Sequence, residues 1–217
     1  MAGLRQRARR SEDKQARRSA ILEAAAGLVE RRNFASITMS ELARHCDLAK
    51  GTLYLYFKSK EELFLAMLEQ ELVQWFDSFG AELARQEAMD ADTFGRILAR
   101  SIAERRKLVD LLPIVHVVLE HNIEQDTALA FKRTLLERLS LGSQLLERAL
   151  PGLSPGSGLR LLLRIQALVL GLKQMADPAP SVKSVLDREE LARLRIDFEP
   201  ELAQSVADLV RGTLPPP

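Results

Sequence analysis

The chain of 217 residues contains one cysteine, one tryptophan and two tyrosines. A single thiol excludes an internal disulfide framework and suits a reducing cytoplasm, the location expected here. No apolar stretch follows the early arginines, so no secretory leader is expected. The longest apolar run, 161–172, holds Arg164 and Gln166 and is too short to cross a bilayer. His45, His116 and His121 lack metal-ligand spacing, and no cysteine pair assists them. There is no phosphate-cradling glycine loop, nucleophile elbow or His-Glu-x-x-His pattern, so enzyme chemistry has no sequence support. Strand patterns, repeats and low-complexity segments are also missing. The reading is an all-α protein with no cofactor, no metal and no membrane partner.

What is present is an ordinary soluble composition, 47% hydrophobic and 28% charged, long enough for a substantial core. The net charge of +1 hides an asymmetry. Residues 1–60 hold 13 Lys/Arg against 6 Asp/Glu (+7), which leaves 18 against 24 (−6) for residues 61–217. A basic front on an acidic body fits an end that meets phosphates, although basic ends are often only solvated tails.

The most informative stretch is residues 38–60. Thr38 with Glu41, and Ser59 with Glu62, have the spacing of capping boxes and predict two helix starts. Met39, Leu42, Ala43 and Cys46 give one short helix an apolar face, and Leu53 and Phe57 do the same for a second helix from near Ala49. Two short helices joined across Asp47-Leu48 fit a helix-turn-helix, whose second helix enters a major groove. Cys46 reads as a small core residue rather than a redox sensor.

The run A-K-G-T-L-Y-L-Y-F-K-S-K-E-E-L, after T-M-S-E-L-A-R-H, resembles the DNA-binding domain of TetR/AcrR-type regulators over residues 17–66. Asp47 departs from it, because that family more often has glycine in the turn, but Asp tolerates the left-handed conformation. The resemblance implies that Thr52, Tyr54, Tyr56 and Lys60 touch DNA and that Ser40 and Lys50 face the groove. With Thr38 and with Gly51, which lets the backbone approach closely, these form the expected contact set. It also implies an effector pocket in the C-terminal body. Candidate lining residues are Trp75, Phe79, Phe94, His116, Leu119, Glu120, Phe131 and Met175, with ordinary core packing as the competing reading for each. His116 and Glu120 are the polar candidates.

Along the chain, residues 1–12 carry four arginines without apolar periodicity and are expected to be unstructured in isolation. A helix follows to about Arg32, with Asn33 as its C-cap. A long helix from Ser59 to about Arg85 should join a DNA-binding domain (1–58) to an effector-binding and dimerisation domain (59–217). Further helices are expected at 91–105, 107–121 (kinked or split at Pro113), 124–150 (capped by Asn122), 157–176 and 199–212. Between the last two, 177–198 reads as a long connection with a short helix near 187–195. Helix 157–176 is apolar nearly all round, so it should bury two faces. Leu161, Ile165, Leu168, Val169 and Leu172, with Leu202, Val206 and Leu209 of the last helix, are the expected homodimer contacts. The functional expectation is a repressor released from a palindromic double-stranded operator by a small molecule. A helical ligand-binding or adaptor protein that binds no operator is the alternative.

Overall fold

The computed structural model describes residues 2–29, 34–86, 88–115 and 122–214, and for 2–12, 29 and 35 the backbone only. The elements are α1 (Ala2–Val29), a 3-10 turn (Phe34–Ser36), α2 (Met39–His45), α3 (Lys50–Tyr54), α4 (Lys60–Leu83), α5 (Ala91–Ala103) and α6 (Arg106–Ile114). They continue with α7 (Gln125–Ala149), α8 (Gly158–Ala176), α9 (Pro180–Leu186), a 3-10 helix (Glu189–Leu194) and α10 (Phe198–Thr213). No strand occurs among the described residues. The chain divides into two compact units, 1–68 with 114–128, and 69–113 with 129–217.

In the first unit, α1 begins at Ala2, not near residue 13. Its opening turns hold four arginines and two alanines, strong helix formers that carry a helix without an apolar face. Ile21, Leu22, Ala25 and Ala26 of α1 are buried with Leu42 and Ala43 of α2, Leu53 of α3 and Phe57 after it. Phe34 meets Phe64 edge-on at 4.7 Å between centroids. Arg18 lies 4.9 Å above the Phe57 ring. Leu53 and Phe57 are wholly buried, each contributing about 1.5–3 kcal/mol of apolar burial. The Thr38 capping box is complete: Thr38 Oγ1 accepts from the Glu41 amide, and the Thr38 amide donates to Glu41 Oε2 at 3.0 Å. Asp47 has φ +53°, the left-handed turn conformation expected of it. Cys46 is half-buried with Sγ 3.7 Å from the Ile21 carbonyl, and burial pushes its thiol pKa up, away from the reactive thiolate.

At the start of α4 the second capping box is only partly reciprocal. Ser59 Oγ accepts from the Glu62 amide at 3.1 Å, but Glu62 Oε2 takes the Lys58 amide at 2.7 Å. Helix α4 then runs unbroken through residue 68 into the second unit. There Asp90 caps α5 by accepting from the Thr93 amide at 2.7 Å. Helix α10 packs mainly on α5 and also on α8. The crossing with α5 is close because residue 95 is glycine: a Cβ there would sit 2.3 Å from the Ala203 carbonyl oxygen. The turn from α7 to α8 is held by Glu147, whose carboxylate accepts from the amides of Gly158 (2.9 Å) and Gly156 (3.0 Å) and from the Ser143 hydroxyl (3.1 Å). These amides hold the Glu147 pKa below the usual carboxylate range.

Several expectations need correction. Helix α7 starts at Gln125, and the Glu124 carbonyl accepts from the Ala128 amide. Helix α6 is described to Ile114, one residue past Pro113. Asn33 and 116–121 lie outside the described residues. The connection after α8 holds α9 as well as the expected short helix, and the latter is 3-10. Pro180 stands at the start of α9, where its missing amide and fixed φ suit a helix.

Candidate nucleic-acid interface

Because Leu53 and Phe57 point into the core, the other face of α3 is left outward. Lys50, Gly51, Tyr54 and Leu55 form that strip at i, i+1, i+4 and i+5. Tyr54 is 43% exposed and Leu55 is 74% exposed. Lys50 Nζ lies 5.9 Å from the Tyr54 ring centre, so the cation and the ring share one surface. Thr52 and Tyr56 flank the strip and are half-buried, and Ser40 is exposed at the start of α2. Leu55 escaped the sequence reading because an apolar residue between two tyrosines carries no polar signal.

Two expected contact residues are already engaged within the chain. The Thr38 hydroxyl serves the capping box and also donates to Glu41 Oε2 at 3.0 Å. Lys60 Nζ donates to the carbonyls of Phe34 (3.3 Å) and Ile37 (3.1 Å) and lies 4.4 Å above the Phe34 ring. It therefore ties α4 to the 3-10 turn ahead of α2. Lys58, not singled out from the sequence, is exposed and pairs with Glu124 at 2.6 Å. That hydrogen bond and the adjacent carboxylate raise the Lys58 pKa.

The expected effector residues divide into separate groups. Trp75, Phe79 and Phe94 are buried together, with Trp75 and Phe79 stacked at 5.2 Å and the Phe94 ring tilted by 59° to Phe79 at 6.3 Å. Trp75 Nε1 donates to Ser101 Oγ at 3.1 Å. Phe131 is buried beside Leu72, Val73, Phe76 and Arg138, around a gap of only about 10 Å³. Arg138 donates to Asp77 at 2.5 Å, but its buried Nε has no partner there. Met175 is 58% exposed on α8 and lines none of this. His116, Leu119 and Glu120 fall outside the described residues. An open polar groove of about 1170 Å³ lies between α4, α5 and the start of α10, and of the expected set only Phe79 touches it.

The expected dimer residues also divide. Leu161, Ile165, Val169, Leu202 and Val206 are buried within the protomer, whereas Leu168, Leu172 and Leu209 are half-buried. A nearly all-apolar helix hides which face looks inward. The outward face of α8 carries Arg160, Leu163, Arg164, Ala167, Gly171, Gln174 and Met175. Among the described residues no group of three possible metal ligands occurs, and no helix is long and apolar enough to cross a membrane.

Fold and site together define a helix-turn-helix transcriptional regulator with a separate helical body. Residues 21–67 match the model described as "Bacterial regulatory proteins, tetR family", and residues 69–217 match "Tetracyclin repressor-like, C-terminal domain". The chain belongs to the tetR family. It is similar to the HTH-type regulator EthR of Mycolicibacterium smegmatis, 39% identical over 76 residues (35% of this chain, 34% of that protein). It is also similar to the repressor KstR of Mycobacterium tuberculosis, 32% identical over 87 residues (40% and 38%). These matches span well under half the length of the curated relatives, down to 16% for the regulator YuxN of Bacillus subtilis. FadR of Thermus thermophilus, solved with lauroyl-CoA, shares the fold: TM-score 0.57, 20% identity, 92% of this chain and 96% of that one. FadR of Bacillus halodurans gives a TM-score of 0.56, 18% identity, 90% and 94%. These relatives are transcriptional regulators.

Proposed function

We propose that the protein is a homodimeric repressor that binds a palindromic DNA operator and releases it when a small molecule enters the helical body. The carrying observation is the outward strip of α3, Lys50, Gly51, Tyr54 and Leu55, backed by the wholly buried Leu53 and Phe57. A short helix held rigidly by one face and open on the other is what major-groove reading requires. Lys50 and Thr52 supply hydrogen bonds to base edges or phosphates, Tyr54 and Tyr56 pack on the sugar-phosphate backbone, and Leu55 offers an apolar contact to a thymine methyl. Ser40 reaches the backbone from α2.

The dimer uses the outward face of α8. Leu163, Ala167, Gly171 and Met175 recur every four residues along it. In an antiparallel pair with a two-fold axis level with Val169, Leu163 meets the partner's Met175, and Ala167 meets the partner's Gly171. The strip is therefore self-complementary, as an isologous interface must be, with small residues where the helices cross. Leu168, Leu172 and Leu209 flank the contact.

The effector is mainly apolar and enters by parting α4 from α7 near Phe76 and Phe131, where the unpartnered Arg138 Nε can donate to it. The lauroyl-CoA of Thermus thermophilus FadR supports that choice of chemistry.

The test begins with selection from a randomised duplex pool. The expected result is a palindrome with half-sites one helical turn apart, bound at least about 10³-fold more tightly than random DNA. Leu55→Ala or Lys50→Ala should alter the preferred base at one half-site position, and Leu163→Asp should yield monomers. A pool that emerges without sequence preference would overturn the operator reading and favour the adaptor alternative.

A further inference from the structure

We propose that the opening part of α1, residues 2–20, is a cationic helical rail that lies along the DNA phosphates flanking the operator half-site. The inference rests on α3 reading a major groove and adds a second, sequence-independent contact to it. Helix α1 is unbroken from Ala2 to Val29, yet its buried residues begin only at Ile21. About 28 Å of helix therefore precedes the packed part. Residues 13–20 are exposed apart from Arg18, which is half-buried. Residues 1–20 hold seven cations and two anions, so they carry +5 of the +7 found in residues 1–60.

The register of the helix gathers these charges into a row. At 3.6 residues per turn, positions 7, 10, 14, 17 and 18, all Arg or Lys, fall within about 100° of arc. Glu12 and Asp13 fall outside that arc, as do Arg5 and Arg9. Further along the helix the same arc holds Ile21 and Ala25, both buried. The face that α1 turns to its own core thus becomes cationic once it passes the end of that core. Arg18 marks the changeover: its guanidinium lies 4.9 Å from the centre of the Phe57 ring, and Phe57 closely follows α3. The row therefore leaves the domain beside the C-terminal end of the reading helix. Like charges three and four apart destabilise a helix by themselves. Double-stranded DNA, with one negative charge per about 1.7 Å of its axis, removes that cost along the whole row. A membrane surface does not fit, because a helix lying in one needs an apolar face, and residues 5–20 contain no apolar residue larger than alanine. A helix continuous with the packed part of α1 follows backbone phosphates, so it adds affinity without lengthening the recognised sequence.

The test compares two charge-matched double variants of the full chain, Arg10→Ala with Lys14→Ala on the row and Arg5→Ala with Arg9→Ala off it. Each is titrated with salt while bound to the selected operator duplex carrying extra base pairs at both ends. The row variant should lower the slope of log K against log salt by about 1.8, for two lost phosphates, and weaken binding at least about 10-fold at low salt. The off-row variant should lose less than about half of that slope, and neither should alter the preferred sequence. Hydrogen exchange of wild type supplies an independent reading: amides of 2–20 should become protected when the duplex is added. Equal losses in both variants overturn the row and leave only a diffuse cationic tail. No loss in either, or protection by anionic vesicles and not by duplex, overturns the contact with DNA. If wild type selects a palindrome and the row variant keeps its full slope, the operator reading stands and the rail alone fails. If wild type binds duplexes without preference and the row variant still loses slope, the operator reading fails while the phosphate contact stands.

Discussion

Replacing Lys60 with alanine separates two roles that one lysine cannot fill fully at the same time. In the structure its ammonium is spent inside the chain, on the carbonyls of Phe34 and Ile37 and on the Phe34 ring. Charged hydrogen bonds contribute about 1.5–3 kcal/mol when well enclosed, and a cation over a ring about 0.5–1 kcal/mol more. Lys60 is half-exposed and one of its two bonds is 3.3 Å long, so a net loss of about 1–2 kcal/mol is expected. For a chain of this size, that lowers Tm by about 2–8 °C. If the lysine serves only the fold, the slope of log K against log salt for DNA binding should stay unchanged. If it also meets a phosphate, the slope falls by about 0.9. The assays are thermal melting and a salt titration of duplex binding, run on the same preparations of Lys60→Ala and Lys60→Met. An unchanged Tm with a reduced slope would refute the structural role and restore the phosphate contact that the family resemblance implies.

Gly95→Ala should destabilise the second unit by about 1–3 kcal/mol, read as a drop in urea midpoint, because its Cβ would press on the Ala203 carbonyl of α10 and only a backbone shift relieves it. Glu147 has its pKa lowered first by the Gly158 amide, so its contribution is complete above the ordinary glutamate value of about 4.3 and fades as pH falls through the lower folded value. Glu147→Gln should therefore flatten the loss of Tm between about pH 5 and pH 3, and an acid limb identical to wild type would contradict this.

The helix-turn-helix was legible because its signals are local. Two hydroxyl–carboxylate pairs, an i, i+4 apolar pair in Leu53 and Phe57, and a permissive turn residue in Asp47 each act within a few positions. The helices of the body were legible as helices for the same reason. Their facing was not. In α8, apolar residues surround the axis, and only packing against α10 decides that Leu161 and Val169 look inward while Leu163 and Met175 look out. The bonds of Lys60 to the Phe34 and Ile37 carbonyls were not legible, since no local pattern tells whether a long side chain reaches outward or folds back onto a carbonyl. Helix α9 was missed because Pro180 signals a break and a helix start equally well, and no apolar face large enough to settle the choice follows it.

Gly51 sits on the outward strip of α3 with open space where a Cβ would go. The chain itself makes no use of that emptiness. An alanine there meets nothing within 4 Å and would favour the helix by up to about 1 kcal/mol. If α3 enters a major groove as proposed, stability and recognition pull in opposite directions at this one position. A screen for folded, abundant protein would reward filling it, whereas a screen for operator occupancy would report how much room the groove demands. Few sites in the molecule let the requirements of the double helix be weighed without those of the fold intervening.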